Sequence, residues 1–187
     1  MKKIIVLEGP SGVGKDTIIK ELVHRFPDLY IKMPSTTTRD MRPTETQGNP
    51  YFFISKKEFQ QKIANGDIFE FTQTVRDDAY KGMSKQIIDD IIATGKIQIK
   101  DCDWVGIKAL RKEYGAAVLV IYVHVPKSGV EKRIRARGGD EQDMQRRIAD
   151  YDDYSSKIRG LCDVEVENID LHKCVEDVHK LISESKV

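Results

Sequence analysis

The sequence has few cysteines and no long apolar segment, and each shortage excludes a class of protein. Cys102, Cys162 and Cys174 are the 3 cysteines among 187 residues, and none belongs to a C-x-x-C pair. A disulfide framework or a cysteine-rich zinc site is therefore unsupported, and a reducing compartment is expected. The longest apolar run, residues 116–123, is far shorter than the about 20 residues of a membrane-spanning helix. We expect a soluble cytoplasmic protein without membrane contact.

Neither sign of charge is in excess. Lys and Arg number 31 against 30 Asp and Glu, a formal net charge of +1. Proteins that bind nucleic acid without sequence preference usually carry a clear basic excess, so no nucleic-acid partner is expected. Any anion that this protein binds must be held by a local cluster of cations.

Short β-branched runs alternate with amphipathic helical patterns along much of the chain. The strand-like runs are residues 4–7, 97–99, 118–125 and 164–166, and the helical patterns that follow them are residues 15–26, 105–114, 127–137 and 171–182. This alternation predicts a single α/β domain, with a parallel sheet flanked by helices.

Two segments interrupt the alternation. Residues 33–95 are mostly polar, with Pro34, Pro43 and Pro50 between strand-like runs, which predicts an inserted mixed α/β subdomain. Residues 129–147 are densely charged around Gly138-Gly139 and are typical of a helical lid. The core is then assigned to residues 1–32, 96–128 and 148–187.

The segment from Gly9 to Lys15 reads G-P-S-G-V-G-K and lies between a predicted strand and a predicted helix. This is the context in which the pattern G-x-x-x-x-G-K indicates a phosphate-binding loop. Its glycines allow successive N–H groups to face a phosphate, and the lysine reaches the β and γ oxygens. The candidate phosphate-binding residues of this loop are Ser11, Gly12, Val13, Gly14, Lys15, Asp16 and Thr17.

The position after Lys15 holds Asp16, where this motif usually has a Ser or Thr that binds Mg²⁺. Either the Asp16 carboxylate binds the metal, or the hydroxyl of Thr17 replaces the usual ligand. Asp16 alternatively serves only the helix dipole in the first turn. Asp16 and Thr17 are therefore both candidate metal ligands.

A second cluster follows in the predicted insertion. Arg39 and Arg42 are flanked by the hydroxyl residues 35–38, and Tyr51 follows. Arginine forks suit bidentate contacts to a phosphate, which would make this segment a second anion site. Taken by itself, the segment is more typical of a surface loop with solvated arginines, and the nearby phosphate loop favours the anion site.

With these motifs the chain resembles the guanylate kinase family, from Ile4 to about Asn168. Further matching segments are Phe69-Glu70, Tyr80 with Gly82, residues 93–95, residues 101–106 and the arginines of residues 133–138. The resemblance implies a P-loop nucleoside monophosphate kinase that uses ATP and Mg²⁺ to phosphorylate GMP and dGMP by direct in-line transfer. Its partners would be small nucleotides, and its state a monomer or homodimer.

The resemblance also implies individual roles. The residues at the acceptor phosphate would be Ser35, Arg39, Arg42, Tyr51 and Tyr80. Those at the guanine would be Glu70, Asp103 and Ser84, since a carboxylate matches the adjacent N–H donors of guanine. Arg133, Arg137 and Arg147 would contact ATP from the lid, and Asn168 would lie near its adenine. The catalytic residues would be Lys15, Arg39, Arg42, Arg137 and Arg147.

One segment departs from the family pattern. Residues 74–82 form a turn about two residues longer than expected, and Lys81 stands directly before Gly82. The hydroxyl residue expected near guanine O6 would then fall at Met83 or Ser84. Ser84 is alternatively the N-cap of the helical pattern that follows it.

Three other functions remain open. A regulatory GTPase is disfavoured because the guanine-reading N-K-x-D motif is absent from the sequence. A non-catalytic guanylate-kinase-like binding module is disfavoured by the intact Gly14-Lys15 and the arginine-rich lid. A kinase of the same fold for another small phosphate ester, such as a phosphosugar, remains because of Asp16 and the altered turn.

Overall fold

The computed structural model describes residues 2–74 and 78–185, with the exception of the Arg137 side chain. Two compact units make up the chain. The first contains residues 1–32 and 99–187, and the second contains residues 33–98. The insertion predicted from the sequence ends at residue 95, whereas this second unit ends at residue 98.

Strands and helices alternate along most of the chain. The strands are β1 (Ile4–Glu8), β2 (Tyr30–Lys32), β3 (Ser35–Thr37), β4 (Thr46–Gln47), β5 (Pro50–Phe53), β6 (Ile68–Thr74), β7 (Ala79–Ser84), β8 (Ile97–Asp101), β9 (Val118–His124) and β10 (Val164–Glu167). The helices are α1 (Lys15–Arg25), α2 (Lys56–Ala64), α3 (Lys85–Ala93), α4 (Trp104–Tyr114), α5 (Lys127–Arg137), α6 (Glu141–Ala149), α7 (Tyr151–Arg159) and α8 (Leu171–Glu184). Within the described ranges, no helix combines the length and the apolar character needed to cross a bilayer.

The main sheet has the strand order β10-β9-β1-β8-β2. β1 pairs in parallel with β9, and β9 pairs in parallel with β10. Every residue of β1 is buried, because helices cover both faces of a parallel sheet. Burying one Ile, Val or Leu side chain contributes about 1.5–3 kcal/mol, so the continuous apolar run of β1 makes it a natural central strand. The α/β fold predicted from the alternation is confirmed.

Helix α8 closes the first unit against α1. Its apolar face, which includes Cys174, Val178 and Ile182, is fully buried. His179 on the same helix stacks on Phe26 with ring centroids 4.0 Å apart, and its Nδ1 lies 2.7 Å from the Tyr30 hydroxyl. This histidine therefore has a packing role.

The second unit is built on a mixed sheet of order β4-β5-β3-β7-β6. β3 is parallel to β5 and antiparallel to β7, and β7 is also antiparallel to β6. Helix α2 begins with a capping box, in which the Ser55 side chain accepts from the Glu58 N–H and Glu58 accepts from the Ser55 N–H. Helix α3 begins at the N-cap Ser84. These short elements hold the predicted acceptor residues.

Candidate active site

The predicted phosphate loop connects β1 to α1. Gly9, Gly12 and Gly14 have φ values of +149°, +91° and +98°, which L side chains rarely adopt. Gly9 has an additional constraint, because a Cβ there would lie 2.2 Å from the Val123 carbonyl oxygen of β9. The loop can approach the sheet this closely only with glycine at that position.

Lys15 is folded over its own loop. Its Nζ donates to the Gly9 carbonyl and, at 3.3 Å, to the Pro10 carbonyl. Burial lowers the pKa of Lys15, while the negative charges of Glu8, Asp101 and Asp16 act in the opposite direction. The ammonium group therefore sits inside the loop, where a phosphate would meet it.

Arg147 reaches this loop from α6. Its Nη1 donates to the Ser11 Oγ at 3.0 Å, and its Nε donates to Asp143 at 2.7 Å. A cavity of about 400 Å³ lies here, lined by Gly9, Ser11, Gly12, Gly14, Lys15, Asp16, Asp101, Arg147 and Tyr154. The structure thus brings together Lys15 and Arg147, which are far apart in sequence. The side chain of Arg137, predicted to act with Arg147, lies outside the described residues.

Arg133 and Asn168 contact the backbone of the loop. The Asn168 Nδ2 donates to the Val13 carbonyl at 2.7 Å, and the Arg133 Nη1 donates to the same oxygen at 3.2 Å. Arg133 Nη2 also donates to the Asn168 carbonyl at 2.6 Å. Both residues were predicted to contact ATP, and in this structure they fix the shape of the loop that would hold it.

Glu8 was not predicted as a site residue, yet it lies directly before the loop. Its side chain is buried, and its Oε1 accepts from the Gly9 N–H at 2.7 Å and from the Tyr154 hydroxyl at 2.9 Å. Burial raises the pKa of Glu8, and the charge of Lys15 lowers it. The sequence signal was a carboxylate at the end of the apolar run Ile4–Leu7.

Asp16 and Thr17 lie exposed in the first turn of α1. The Asp16 carboxylate accepts from the Lys32 Nζ at 2.8 Å, and this hydrogen bond lowers its pKa. Mg²⁺ is commonly held by one or two carboxylates together with substrate phosphates and water. An ionised, solvent-accessible carboxylate on the rim of the phosphate cavity fits that donor set.

The second unit contains a separate cluster of cations and aromatic rings. Arg39 forms a two-pronged ion pair with Glu45, with N–O distances of 2.6 and 2.8 Å, and its guanidinium lies 5.2 Å from the centre of the Tyr51 ring. The Arg42 N–H also donates to Glu45 at 2.9 Å. The hydrogen bonds from Arg39 lower the pKa of Glu45 to about 2. A phosphate could accept the same pair of hydrogen bonds from Arg39 that Glu45 accepts here.

Lys81 joins this cluster from β7. Its Nζ lies 5.3 Å from the centre of the Tyr51 ring, and Lys81 is opposite Thr37 in the antiparallel pairing of β3 with β7. In the sequence, Lys81 is a departure from the family pattern. The strand register instead places this cation on Tyr51, the ring that Arg39 also contacts.

The remaining acceptor candidates occupy varied environments. Ser35 is buried at the start of β3, Arg42 is exposed, and the half-buried Tyr80 stacks on Phe59 with centroids 5.4 Å apart. These positions belong to one sheet and its adjoining loop.

The candidates for guanine recognition include two helix N-caps. Ser84 is buried and its hydroxyl donates to the Asp67 carboxylate at 3.0 Å, while it accepts from the Ile87 N–H. This confirms the N-cap alternative for Ser84. Asp103 accepts from the Val105 and Gly106 N–H groups at the start of α4, each at 3.0 Å. Glu70 is half-buried on β6.

Comparisons with known proteins give a consistent picture. The family model described as guanylate kinase matches residues 1–185. The curated guanylate kinase of Symbiobacterium thermophilum is 34% identical over 185 residues, which cover 98% of this chain and 85% of that protein. The one from Porphyromonas gingivalis is 32% identical over 186 residues, covering 98% of each.

A solved structure agrees in fold. The crystal structure of guanylate kinase from Anaplasma phagocytophilum covers 100% of this chain and 87% of its own, with a TM-score of 0.67 and 21% identity. At that identity the likeness establishes the fold alone. Because the family model and the curated relatives both extend over nearly the whole sequence, this chain belongs to the guanylate kinase family.

Proposed function

We propose that this protein transfers the terminal phosphate of ATP to GMP, and also to dGMP. The curated relatives that match 98% of the chain are named guanylate kinases. The observation that carries the proposal is the cavity in which the loop residues, Lys15 and Arg147 come together. Such a cavity suits a polyphosphate donor, because the glycines of the loop and two cations, Lys15 and Arg147, line the same space.

The donor site works mainly by offsetting negative charge. Lys15 and Arg147 supply fixed positive charge where the transferring phosphate would lie, and Arg137 is proposed to add a third cation. Transfer to a monophosphate needs no strong general base, since the attacking oxygen is already anionic. Positioning and charge stabilisation are then the principal tasks of the side chains.

The acceptor's phosphate is assigned to the cluster around Arg39. Arg39 and Lys81 supply charge beside Tyr51, and the backbone N–H of Arg42 donates to Glu45, the partner of Arg39. The Arg42 guanidinium is proposed as a further contact. A bound phosphate would share or replace the Glu45 carboxylate on Arg39, because both anions use the same pair of N–H donors. Ser35 and Tyr80 are further proposed contacts.

Magnesium is proposed as the cofactor, held by Asp16 or by Thr17. When bound, the ion would neutralise charge on the donor's phosphates. The Asp16 carboxylate is exposed at the cavity and pairs with the exposed Lys32, so it is accessible to an arriving ion.

Recognition of the base is assigned to Glu70 and Asp103. An ionised carboxylate accepts hydrogen bonds from the guanine N1–H and the exocyclic amine, which adenine cannot offer in the same arrangement. The proposed contact of Ser84 with guanine O6 has less support, since its hydroxyl already serves Asp67 and Ile87.

The alternatives are less well supported. A non-catalytic binding module has no need for Lys15 inside an intact loop or for Arg147 docked on Ser11. A phosphosugar kinase would have no reason to carry a carboxylate at the position of Glu70. A coupled assay of ADP release across GMP, dGMP, AMP, CMP, UMP and ribose 5-phosphate tests the choice. Activity confined to GMP and dGMP supports the proposal, and a preference for the sugar phosphate overturns it.

Replacing Arg39 with alanine is expected to weaken the acceptor selectively. A charge-assisted hydrogen bond contributes about 1.5–3 kcal/mol, so KM for GMP should rise about tenfold to a hundredfold while KM for ATP changes little. Steady-state kinetics measure both constants. Arg25→Ala, which removes an arginine paired with Glu21 on α1, is the matched control. An equal loss of ATP affinity would assign Arg39 to a different site.

Replacing Glu70 with glutamine is expected to reduce kcat/KM for GMP by about tenfold or more, because an amide cannot accept from both guanine donors. ATP affinity should remain unchanged. The exposed Asp89 on α3 gives the control Asp89→Asn. Full GMP turnover in Glu70→Gln would exclude guanine recognition by this residue.

A further inference from the structure

The Glu8 carboxyl lies beneath the phosphate loop in an unusual setting for an acidic group. The residue is 1% exposed, and its Oε1 accepts from the Gly9 N–H and the Tyr154 hydroxyl. Its Oε2 is buried and has no hydrogen-bond partner within the described part of the chain. Burying a carboxylate with an unsatisfied oxygen destabilises a fold, so a purely structural role does not explain Glu8.

The groups that face Glu8 come from several elements. Lys15 on α1 attracts its negative charge, Tyr154 on α7 donates to it, and Asp103 before α4 repels it. Burial raises the pKa of the Cys162 thiol, which follows α7, and the negative charge of Glu8 raises it further. Lys15 is the cation in this set.

Glu8 and Lys15 bind opposite ends of the same residue. The carboxylate accepts from the Gly9 N–H, and the ammonium donates to the Gly9 carbonyl. Asp101, at the end of the neighbouring strand β8, adds a second negative charge that acts on Lys15. Lys15 therefore already interacts with negative charge inside the protein before any phosphate is present.

We propose that Glu8 is the internal counter-ion of Lys15, which the nucleotide's phosphates replace, and that Tyr154 ties this counter-ion to α7. This inference rests on the proposed function, since it takes the incoming anion to be a nucleotide polyphosphate. Glu8 is a positioning residue, because it acts on Lys15 and does not line the cavity by its own contacts. Its negative charge opposes the nucleotide and so weakens binding at the loop.

The experiment measures ADP binding by calorimetry in wild type, Glu8→Gln and Glu8→Met. Both substitutions remove the charge, but only glutamine keeps a carbonyl oxygen for Gly9 and Tyr154. Both variants should bind ADP about tenfold more tightly, the effect expected of one nearby charge at partial burial. The control Glu167→Gln, an exposed carboxylate at the end of β10, should bind as wild type does.

A second measurement is the number of protons taken up when ADP binds. A phosphate arriving near Glu8 raises its pKa further, so wild type should take up more protons per ADP bound than Glu8→Gln. Calorimetry in two buffers of different ionisation enthalpy, repeated from about pH 5 to 8, gives this difference. An ordinary packing residue would not change the proton count.

The binding and melting measurements together distinguish a charge effect of Glu8 from a structural one. Weaker ADP binding with a lower melting temperature in both variants would make Glu8 structural and overturn the proposal. If Glu8→Gln binds ADP as wild type does and Glu8→Met binds it more weakly, Glu8 acts by hydrogen bonding and not by charge. That result would also overturn the proposal. ADP binding needs no acceptor. If the Glu8 variants bind ADP more tightly but the wild-type protein forms no GDP, the proposed function is rejected and the role of Glu8 as counter-ion is retained.

Discussion

Lys15→Ala is expected to lower kcat by about a thousandfold or more, the loss typical of removing a charge that stabilises a transition state in a low-dielectric site. The Lys15 ammonium lies inside the loop, on the Gly9 and Pro10 carbonyls, where its charge is most effective. Turnover of GMP in the coupled assay measures the loss.

The same substitution should leave the fold intact. Removing Lys15 ends the desolvation cost that lowers its pKa, and Glu8, whose pKa burial already raises, can lose its charge by binding a proton, so the core should stay folded. The melting temperature of Lys15→Ala should therefore match that of the control Lys20→Ala, an exposed lysine on the same helix. Near-normal turnover in a folded Lys15→Ala would refute the assignment of the phosphate loop.

Gly9→Ala is expected to be the most destabilising of the simple loop substitutions. The new Cβ would meet the Val123 carbonyl oxygen at 2.2 Å, and β9 cannot withdraw because it pairs with both β1 and β10. Backbone strain at φ +149° adds to this overlap. Together they should lower the free energy of unfolding by about 3 kcal/mol or more, measured by urea denaturation.

Gly66→Ala provides the comparison. Gly66 also has a positive φ, +79°, but a Cβ there would meet no atom within 4 Å. Gly66→Ala should therefore lower the free energy of unfolding only through backbone strain, by about 1–2 kcal/mol. If Gly9→Ala lowers the free energy of unfolding no more than Gly66→Ala does, the close approach of the loop to β9 does not limit the residue at position 9.

Four strands of the main sheet could be predicted from sequence, because β1 and β9 are continuous apolar runs and β8 and β10 carry Ile or Val at alternate positions. The three-residue strand β2 was not predicted. The segment 151–159, which forms α7, was not identified, since much of its surface is polar and its pattern resembles an exposed loop. Helix α2 was also missed, although Ser55 and Glu58 carry the S-x-x-E signature of a capping box.

The phosphate loop was predictable because its residues are contiguous and its shape depends on local glycines. Contacts made across the fold were not. The Tyr154 hydroxyl meets Glu8, a residue 146 positions earlier, and nothing in either local sequence indicates this. Lys81 acquires its position from the register of β7 against β3, which a turn of altered length made unpredictable.

The Val13 carbonyl is held by two side chains from late in the chain. Asn168 is 155 positions away from Val13, and Arg133 is 120 positions away. A ribosome would release the loop long before it releases these partners, so the loop reaches its final shape only after residues 133 and 168 have been made. Competence to bind nucleotide would thus arise only once β10 has joined the sheet.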